Sequence, residues 1–78
     1  MDGDTNATGT ATGDVLLTDR EREVLVELTT GATDREISER LGISPRTAGH
    51  HSAAIYRKLG VHGRAEATAW AFRHGLVE

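Results

Sequence analysis

Two short motifs fix where helices begin in this chain. Thr18-Asp19-Arg20-Glu21 and Thr33-Asp34-Arg35-Glu36 each place a threonine three residues before a glutamate. In such a capping box, the threonine hydroxyl and the glutamate carboxylate each accept a hydrogen bond from the other residue's backbone amide. Acidic side chains in the first turn are also favoured by the helix dipole. One helix is therefore expected after Thr18 and another after Thr33.

Glycine and proline predict the remaining helix boundaries. Ser44-Pro45 combines an N-cap with a proline at the first helical position, where its missing amide costs nothing. A fourth, alanine-rich helix is predicted from about 63 to 74. The predicted helices end at glycines, which accept the left-handed backbone of a C-cap: Gly31, Gly42, Gly60 and Gly75. No strand pattern is present, so the predicted fold class is all-α with four short helices.

The chain divides into a short tail and one small domain. Residues 1–14 contain no apolar side chain larger than alanine after Met1, which predicts a disordered acidic N-terminal tail. Residues 15–78 form the predicted domain. There is no cysteine, which excludes disulfides and thiolate metal sites. No apolar run approaches the roughly 20 residues of a membrane span, and no signal peptide is evident, so a cytoplasmic location without membrane contact is expected.

Charge is distributed unevenly along the domain. The net charge is −3, which by itself argues against a nucleic-acid partner. Between 18 and 42, however, seven acidic residues face four arginines, whereas between 43 and 75 only Glu66 opposes five basic residues and four histidines. Such an asymmetry is typical of a domain that presents one face to phosphates. A solvated surface with random charge placement is the alternative.

The connection between the second and third helices is only Gly42-Ile43-Ser44. So short a turn makes the two helices cross at a steep angle. Packing among Leu41, Ile43 and Ile55 can fix this crossing angle. This is the helix-turn-helix arrangement, in which the second helix of the motif enters the DNA major groove. We place the motif at 34–53 and the recognition helix at about 45–59. An ordinary αα corner is the alternative.

Five segments follow one another along the chain in a recognisable order, namely Leu17-Thr18-Asp19-Arg20-Glu21-Arg22-Glu23-Val24-Leu25, 34–44, Thr47 with His51, Ile55 with Arg57-Lys58-Leu59-Gly60-Val61, and Arg64-Ala65-Glu66-Ala67 through His74-Gly75-Leu76-Val77. Together they resemble the LuxR/GerE-type DNA-binding domain. The resemblance spans about 16 to 77 and implies a winged-less four-helix helix-turn-helix domain that dimerises through its fourth helix on an imperfect palindrome.

The recognition helix supplies the candidate DNA-binding residues. Arg46 and Arg57 are predicted to contact phosphate, and His50 lies where relatives read a base edge. Solvated helix arginines and an idle surface histidine are the alternatives. His51 lies at the border of the two helix faces, where it either contacts phosphate or makes an inward structural hydrogen bond. Gly49 stands where the family usually has lysine, which implies a changed recognition code or weak binding. The predicted set is Ser44, Arg46, Thr47, Gly49, His50, His51, Ala53, Arg57 and Lys58.

The fourth helix supplies the candidate dimer interface. Trp70, the single tryptophan, shares a stripe with Ala67 and His74, and Ala71 flanks it. Two interpretations compete, namely a core residue packed on the first helix and an aromatic anchor between two copies. We favour the interface, because the small alanines allow close approach and the monomer core is thin.

Catalysis and metal binding are not expected. Neighbouring histidines on a helix point roughly 100° apart, so His50 and His51 cannot chelate one ion unaided. Glu21 and Glu36 are occupied as cap residues, and no nucleophile or phosphate-loop motif is present. We therefore predict no enzyme activity, no cofactor, no metal and no small-molecule ligand on this chain.

The predicted function is that of a sequence-specific transcriptional regulator that binds double-stranded DNA as a homodimer. The alternative is a protein-interaction module that keeps the helix-turn-helix fold without DNA binding. Region 4 of a sigma factor also shares the opening helix and the turn, but the close at 74–77 resembles the LuxR type more.

Overall fold

The computed structural model describes residues 11–12 and 15–77 of the chain. Within them, the helices are α1 (Asp19–Thr29), α2 (Asp34–Leu41), α3 (Pro45–Leu59) and α4 (Arg64–Arg73). Two short strands, β1 (Ala11–Thr12) and β2 (Val15–Leu16), precede them. Among the described helices, none has the length and apolar character needed to cross a bilayer.

The strand pair is the one element that the sequence pattern did not predict. β1 and β2 are antiparallel, with Ala11 opposite Leu16 and Thr12 opposite Val15. Two residues a strand are too few to show an alternating pattern, which explains the omission. The predicted disordered tail over 1–14 lies mostly outside the described residues, and its described part, Ala11–Thr12, is paired with β2.

The helix starts follow the capping chemistry. Thr18 and Thr33 cap α1 and α2 with both hydrogen bonds of the box present. The Glu21 amide donates to the Thr18 hydroxyl at 3.0 Å, and the Thr18 amide donates to the Glu21 carboxylate at 3.0 Å. Both predicted capping boxes are thus confirmed. α4 lacks such a cap, since Gly63 precedes it without a side-chain hydrogen bond.

The core is built around α1, which packs against both α3 and α4. α2 packs mainly against α3, so it lies to one side of the core. Burying this apolar surface is what holds the short helices together, because isolated helices of this length are marginal in water. The largest fully buried side chains are Leu17, Val24, Leu25, Leu28, Ile37 and Ile55.

The turn between α2 and α3 fixes the crossing of these helices. Gly42 ends α2 with a φ of 70°, in the left-handed region that glycine adopts without strain. The Ile43 amide then donates to the Ser38 carbonyl at 3.0 Å. Leu41 and Ile43 pack against the core from the turn. α3 is therefore held by a short, hydrogen-bonded turn.

Candidate nucleic-acid interface

The start of α3 is organised by Ser44. Its hydroxyl accepts a hydrogen bond from the Thr47 amide at 3.0 Å and donates to the Thr47 hydroxyl at 3.0 Å. Thr47 can still donate its own hydroxyl proton outward, because in this contact its oxygen acts as the acceptor. The first turn of α3 carries no acidic residue. It therefore combines free amides with a hydroxyl donor and no opposing charge.

One face of α3 is exposed along its length. Arg46, His50, Ala53 and Arg57 lie three or four residues apart and all four are exposed, while the opposite positions Ala48, Ser52 and Ile55 are buried. In the part of the chain that the structure describes, neither arginine pairs with a carboxylate. The exposed face thus carries two uncompensated guanidinium groups.

Gly49 lies at the edge of this face and opens a groove toward α2. The groove has a volume of about 460 Å³, and its lining from α2, α3 and α4 consists of Thr33, Asp34, Gly49, Ser52, Ala53, Tyr56 and Arg64. A Cβ atom at position 49 would lie 3.5 Å from Asp34 Oδ2, an ordinary contact distance. Asp34 is absent from the residues predicted to bind DNA, because its nearness to α3 arises from the crossing of two helices.

His51 is half-buried at the border between the two faces of α3. Among the described residues it has no side-chain hydrogen bond. The inward hydrogen bond considered from the sequence is therefore absent there, and contact with phosphate stays a prediction.

Lys58 pairs with a carboxylate of its own domain, although its side chain is 39% exposed, so its contact with DNA stays a prediction. Its Nζ lies 2.7 Å from Glu21 Oε1, and it also donates to the Leu16 carbonyl at 3.5 Å. The Glu21 side chain is 9% exposed. Moving the lysine charge to a phosphate would leave this carboxylate buried and unpaired, at a high cost.

The same contact sets the charge state of Glu21. Burial raises the pKa of the Glu21 carboxyl, but the hydrogen bonds from Lys58 and from the Thr18 backbone outweigh it. The net result is a pKa below the ordinary value of 4.5. Glu21 therefore has two roles, as cap of α1 and as partner of α3.

Three of the four residues predicted at the dimer interface are buried in the core, which corrects that prediction. Ala67 and Ala71 are 0% exposed, and Trp70 is 7% exposed. They pack inside the domain because α4 lies against α1 and α3. His74 is exposed and stacks on Trp70, with ring centroids 4.0 Å apart. Of the two interpretations of Trp70, the core residue is the one that the structure supports.

The exposed face of α4 lies elsewhere. Ala65, Ala69 and Phe72 are exposed and follow one another at intervals of four and three residues, which places them on one side of the helix. Phe72 is 51% exposed, an unusual state for so large an apolar side chain. Its position off the Trp70 stripe was the signal in the sequence that could have identified it.

Comparison with known proteins identifies the family. The family model of bacterial regulatory proteins of the luxR family, named GerE, matches residues 15–71. This chain belongs to the LuxR family. It is a LuxR-type transcriptional-regulator domain of the DNA-binding helix-turn-helix class, in a family of regulatory proteins rather than of enzymes.

Individual relatives of the LuxR-family chain are longer proteins. It is 40% identical over 60 residues to the response regulator UvrY of Escherichia coli, covering 77% of the chain and 28% of UvrY. It is 46% identical over 61 residues to the transcriptional activator BjaR1 of Bradyrhizobium diazoefficiens, covering 78% of the chain and 25% of BjaR1. The chain therefore spans about a quarter of the length of these curated relatives.

Two solved structures share the fold of this chain. The transcription factor GerE is 37% identical, with a TM-score of 0.72 over 80% of this chain and 92% of GerE. The response regulator ChrA, of a haem-sensing two-component system, is 33% identical, with a TM-score of 0.74 over 90% of this chain and 34% of ChrA. The predicted all-α four-helix class and the predicted family are thus confirmed.

Proposed function

We propose that this LuxR-family chain binds double-stranded DNA as a homodimer on an imperfect palindrome and regulates transcription from it. The observation that carries the proposal is the exposed face of α3, where Arg46 and Arg57 are unpaired within the described residues. Since the family is bacterial and the proposed partner is DNA, the proposed place of action is the cytoplasm.

The dimensions of α3 suit a major groove. Its 15 residues give a helix about 22 Å long, and the groove is about 12 Å wide. Arg46 near the start and Arg57 near the end would contact phosphates on the groove walls, while His50 and Ala53 lie between them. The histidine can hydrogen-bond a base edge, and the alanine methyl suits a thymine methyl. Ser44 and Thr47 would add phosphate contacts at the helix start.

Arg46→Ala is expected to weaken binding to all DNA, whatever the sequence. A phosphate contact carries no base information, so affinity should fall for preferred and random duplexes alike. The slope of log affinity against log salt should flatten by about one unit. Fluorescence anisotropy with labelled duplexes at several salt concentrations measures both. Arg22→Ala, an exposed arginine on α1, is the matched control and should change little.

His50→Ala is expected to reduce specificity instead. Loss of a base contact should cost about 1–3 kcal/mol on the preferred site, with little change on random DNA. Selection of bound sequences from a random duplex pool supplies the preferred site. If the wild-type chain shows no salt-dependent binding to any duplex at low ionic strength, the DNA-binding proposal is wrong. The protein-interaction module, which the net charge of −3 favours, would then replace it.

The homodimer proposal now centres on Phe72 instead of Trp70. Ala65 and Ala69 on the same side of α4 allow a second copy to approach closely, and Phe72 supplies an aromatic anchor. In a two-fold dimer each such residue occurs twice in the interface, which doubles its contribution to the free energy of association. The small core of a domain of this size also gains from association.

Phe72→Ala is therefore expected to shift the chain from dimer toward monomer while the monomer stays folded. Removing an interface aromatic typically costs about 2 kcal/mol, and the two-fold dimer loses two of them, so the dissociation constant should rise about a thousandfold. Analytical ultracentrifugation over a concentration series measures the shift. Leu16→Ala, which removes the other large exposed apolar side chain at 50% exposure, is the control. Unchanged sedimentation of Phe72→Ala, or a wild type that stays monomeric at high concentration, would refute this interface.

A further inference from the structure

The groove beside the recognition helix contains a carboxylate that the DNA-binding proposal does not use. Asp34 is the first residue of α2, is exposed, and lines the groove beside Gly49 of α3, with Arg64 of α4 also in the lining. Within the described residues, the Asp34 side chain takes part in no ion pair and no side-chain hydrogen bond. It is thus an acceptor at the edge of the face that would meet DNA.

The side chains of α3 leave Asp34 accessible. Gly49 has no side chain, although a Cβ there would lie only 3.5 Å from Asp34 Oδ2. Ala53, one turn further along, adds a single methyl group and is exposed. The groove of about 460 Å³ shares Ala53 with the exposed face of α3, where base contacts are proposed. A longer residue at position 49 would cover the carboxylate.

The chemistry of a carboxylate selects among the bases. It can only accept hydrogen bonds, so it is repelled by the guanine O6 and N7 and by the thymine O4 acceptors of the major groove. Adenine offers an N6 amino group, but its N7 acceptor lies beside it. Cytosine presents an N4 amino donor with no acceptor on the major-groove edge of the same base, and aspartate is a known partner for it. Cytosine is therefore the base that fits Asp34.

We propose that Asp34 is a specificity-determining residue that accepts a hydrogen bond from a cytosine N4 amino group through the opening left by Gly49. This inference rests on the proposed DNA binding and deepens it, since it assigns part of the readout to α2. Asp34 also lowers affinity for DNA in general, because its charge repels phosphates. Specificity for one base is gained at the expense of non-specific binding.

The test uses the intact chain with Asp34→Asn and Asp34→Ala. A preferred duplex is first selected for the wild type, and all single-base substitutions in each half-site are then compared by competition binding. The wild type should prefer cytosine at one position by about tenfold. Asp34→Asn should transfer that preference to adenine, whose N6 and N7 match an amide, and Asp34→Ala should abolish it. Both variants should bind random duplex more tightly.

Two control variants isolate the contact. Asp19→Asn makes the same change at the first residue of α1, where it lines a different groove, so it controls for the helix dipole and for net charge. It should leave the cytosine preference intact. Gly49→Lys places a cation beside Asp34, and should raise affinity for random DNA while removing the cytosine preference. Far-UV circular dichroism verifies that each variant is folded.

The outcomes separate this inference from the proposed function. If Asp34→Asn tightens binding to every duplex equally and leaves the base preference unchanged, the carboxylate acts by repulsion alone. The specificity role is then wrong while DNA binding stands. If Asp34→Ala leaves the base preference unchanged, the specificity role of Asp34 is likewise wrong. If the wild type binds no duplex at all, the proposed function and this inference both fail.

Discussion

Trp70→Ala is expected to unfold the domain, not to dissociate a dimer. The Trp70 side chain is 7% exposed and belongs to the core that α4 forms against α1. Truncating a buried tryptophan to alanine costs about 3–5 kcal/mol. A domain of this size has a total stability of only roughly 3–10 kcal/mol, so the variant loses much or all of it.

Thermal unfolding followed by far-UV circular dichroism measures this effect. We expect a melting temperature lowered by more than 10 °C or no cooperative transition, because about 1 kcal/mol corresponds to roughly 4–8 °C in small domains. Phe72→Ala is the matched control on the same helix, since it removes an aromatic side chain that is 51% exposed. If the Trp70→Ala variant has the melting temperature of the wild type but no longer forms a dimer, Trp70 is an interface residue and the core assignment is wrong.

Lys58→Met is expected to produce the second largest loss, again in stability. It removes the partner of Glu21, whose side chain is 9% exposed, at a contact of 2.7 Å. Hydrogen bonds to charged groups contribute about 1.5–3 kcal/mol, and the carboxylate left behind is buried. Urea denaturation at neutral pH measures the loss. Methionine keeps most of the side-chain volume, so the lost charge dominates the effect.

The stability difference between wild type and Lys58→Met should depend on pH. The pKa of Glu21 is lowered below 4.5 in the folded protein, so its contribution is complete above 4.5 and is lost as pH falls through the folded value. Without Lys58, burial opposes the charged form, and the Glu21 pKa rises. The two proteins should therefore differ most near pH 7 and converge in acid. A gap that is constant from pH 7 to pH 3 would contradict the ion-pair account.

Arg57→Ala is the matched control for Lys58, because the two basic residues are adjacent on α3. Arg57 is exposed and unpaired within the described residues, so its loss should leave stability nearly unchanged and flatten the salt dependence of DNA binding. Lys58→Met should lower the stability and leave the salt dependence of DNA binding nearly unchanged, measured at temperatures where the variant remains folded. If Lys58→Met also flattens the salt slope by a full unit, Lys58 contacts phosphate and its original assignment is correct.

The features that were predictable from the sequence are local in the chain. The capping boxes at Thr18 and Thr33 involve residues three apart, so their hydrogen bonds follow from sequence spacing alone. The glycine that ends α2 and the proline that begins α3 act within one turn. The exposed face of α3 also followed from helical periodicity, because it requires only knowledge of which side is apolar.

The features that were missed depend on contacts between helices. The sequence shows Lys58 as one more basic residue near Arg57, whereas its partner Glu21 is 37 positions away. Trp70 could face the core or a second copy, and only the packing of α4 on α1 decides between them. The contact between Asp34 and position 49 likewise depends on the angle at which α2 and α3 cross. These three assignments required the tertiary structure.

The packing of α1 against α4 has a consequence for synthesis on the ribosome. The first helix packs against the last one, so the apolar side of α1 cannot be fully covered until α4 has left the exit tunnel. During translation, α2 and α3 can cross and pack on each other while one side of α1 remains open to solvent. The nascent chain therefore exposes an apolar surface that chaperones can bind until α4 has been synthesised. A product truncated before α4 would keep that surface exposed and would be degraded by proteases.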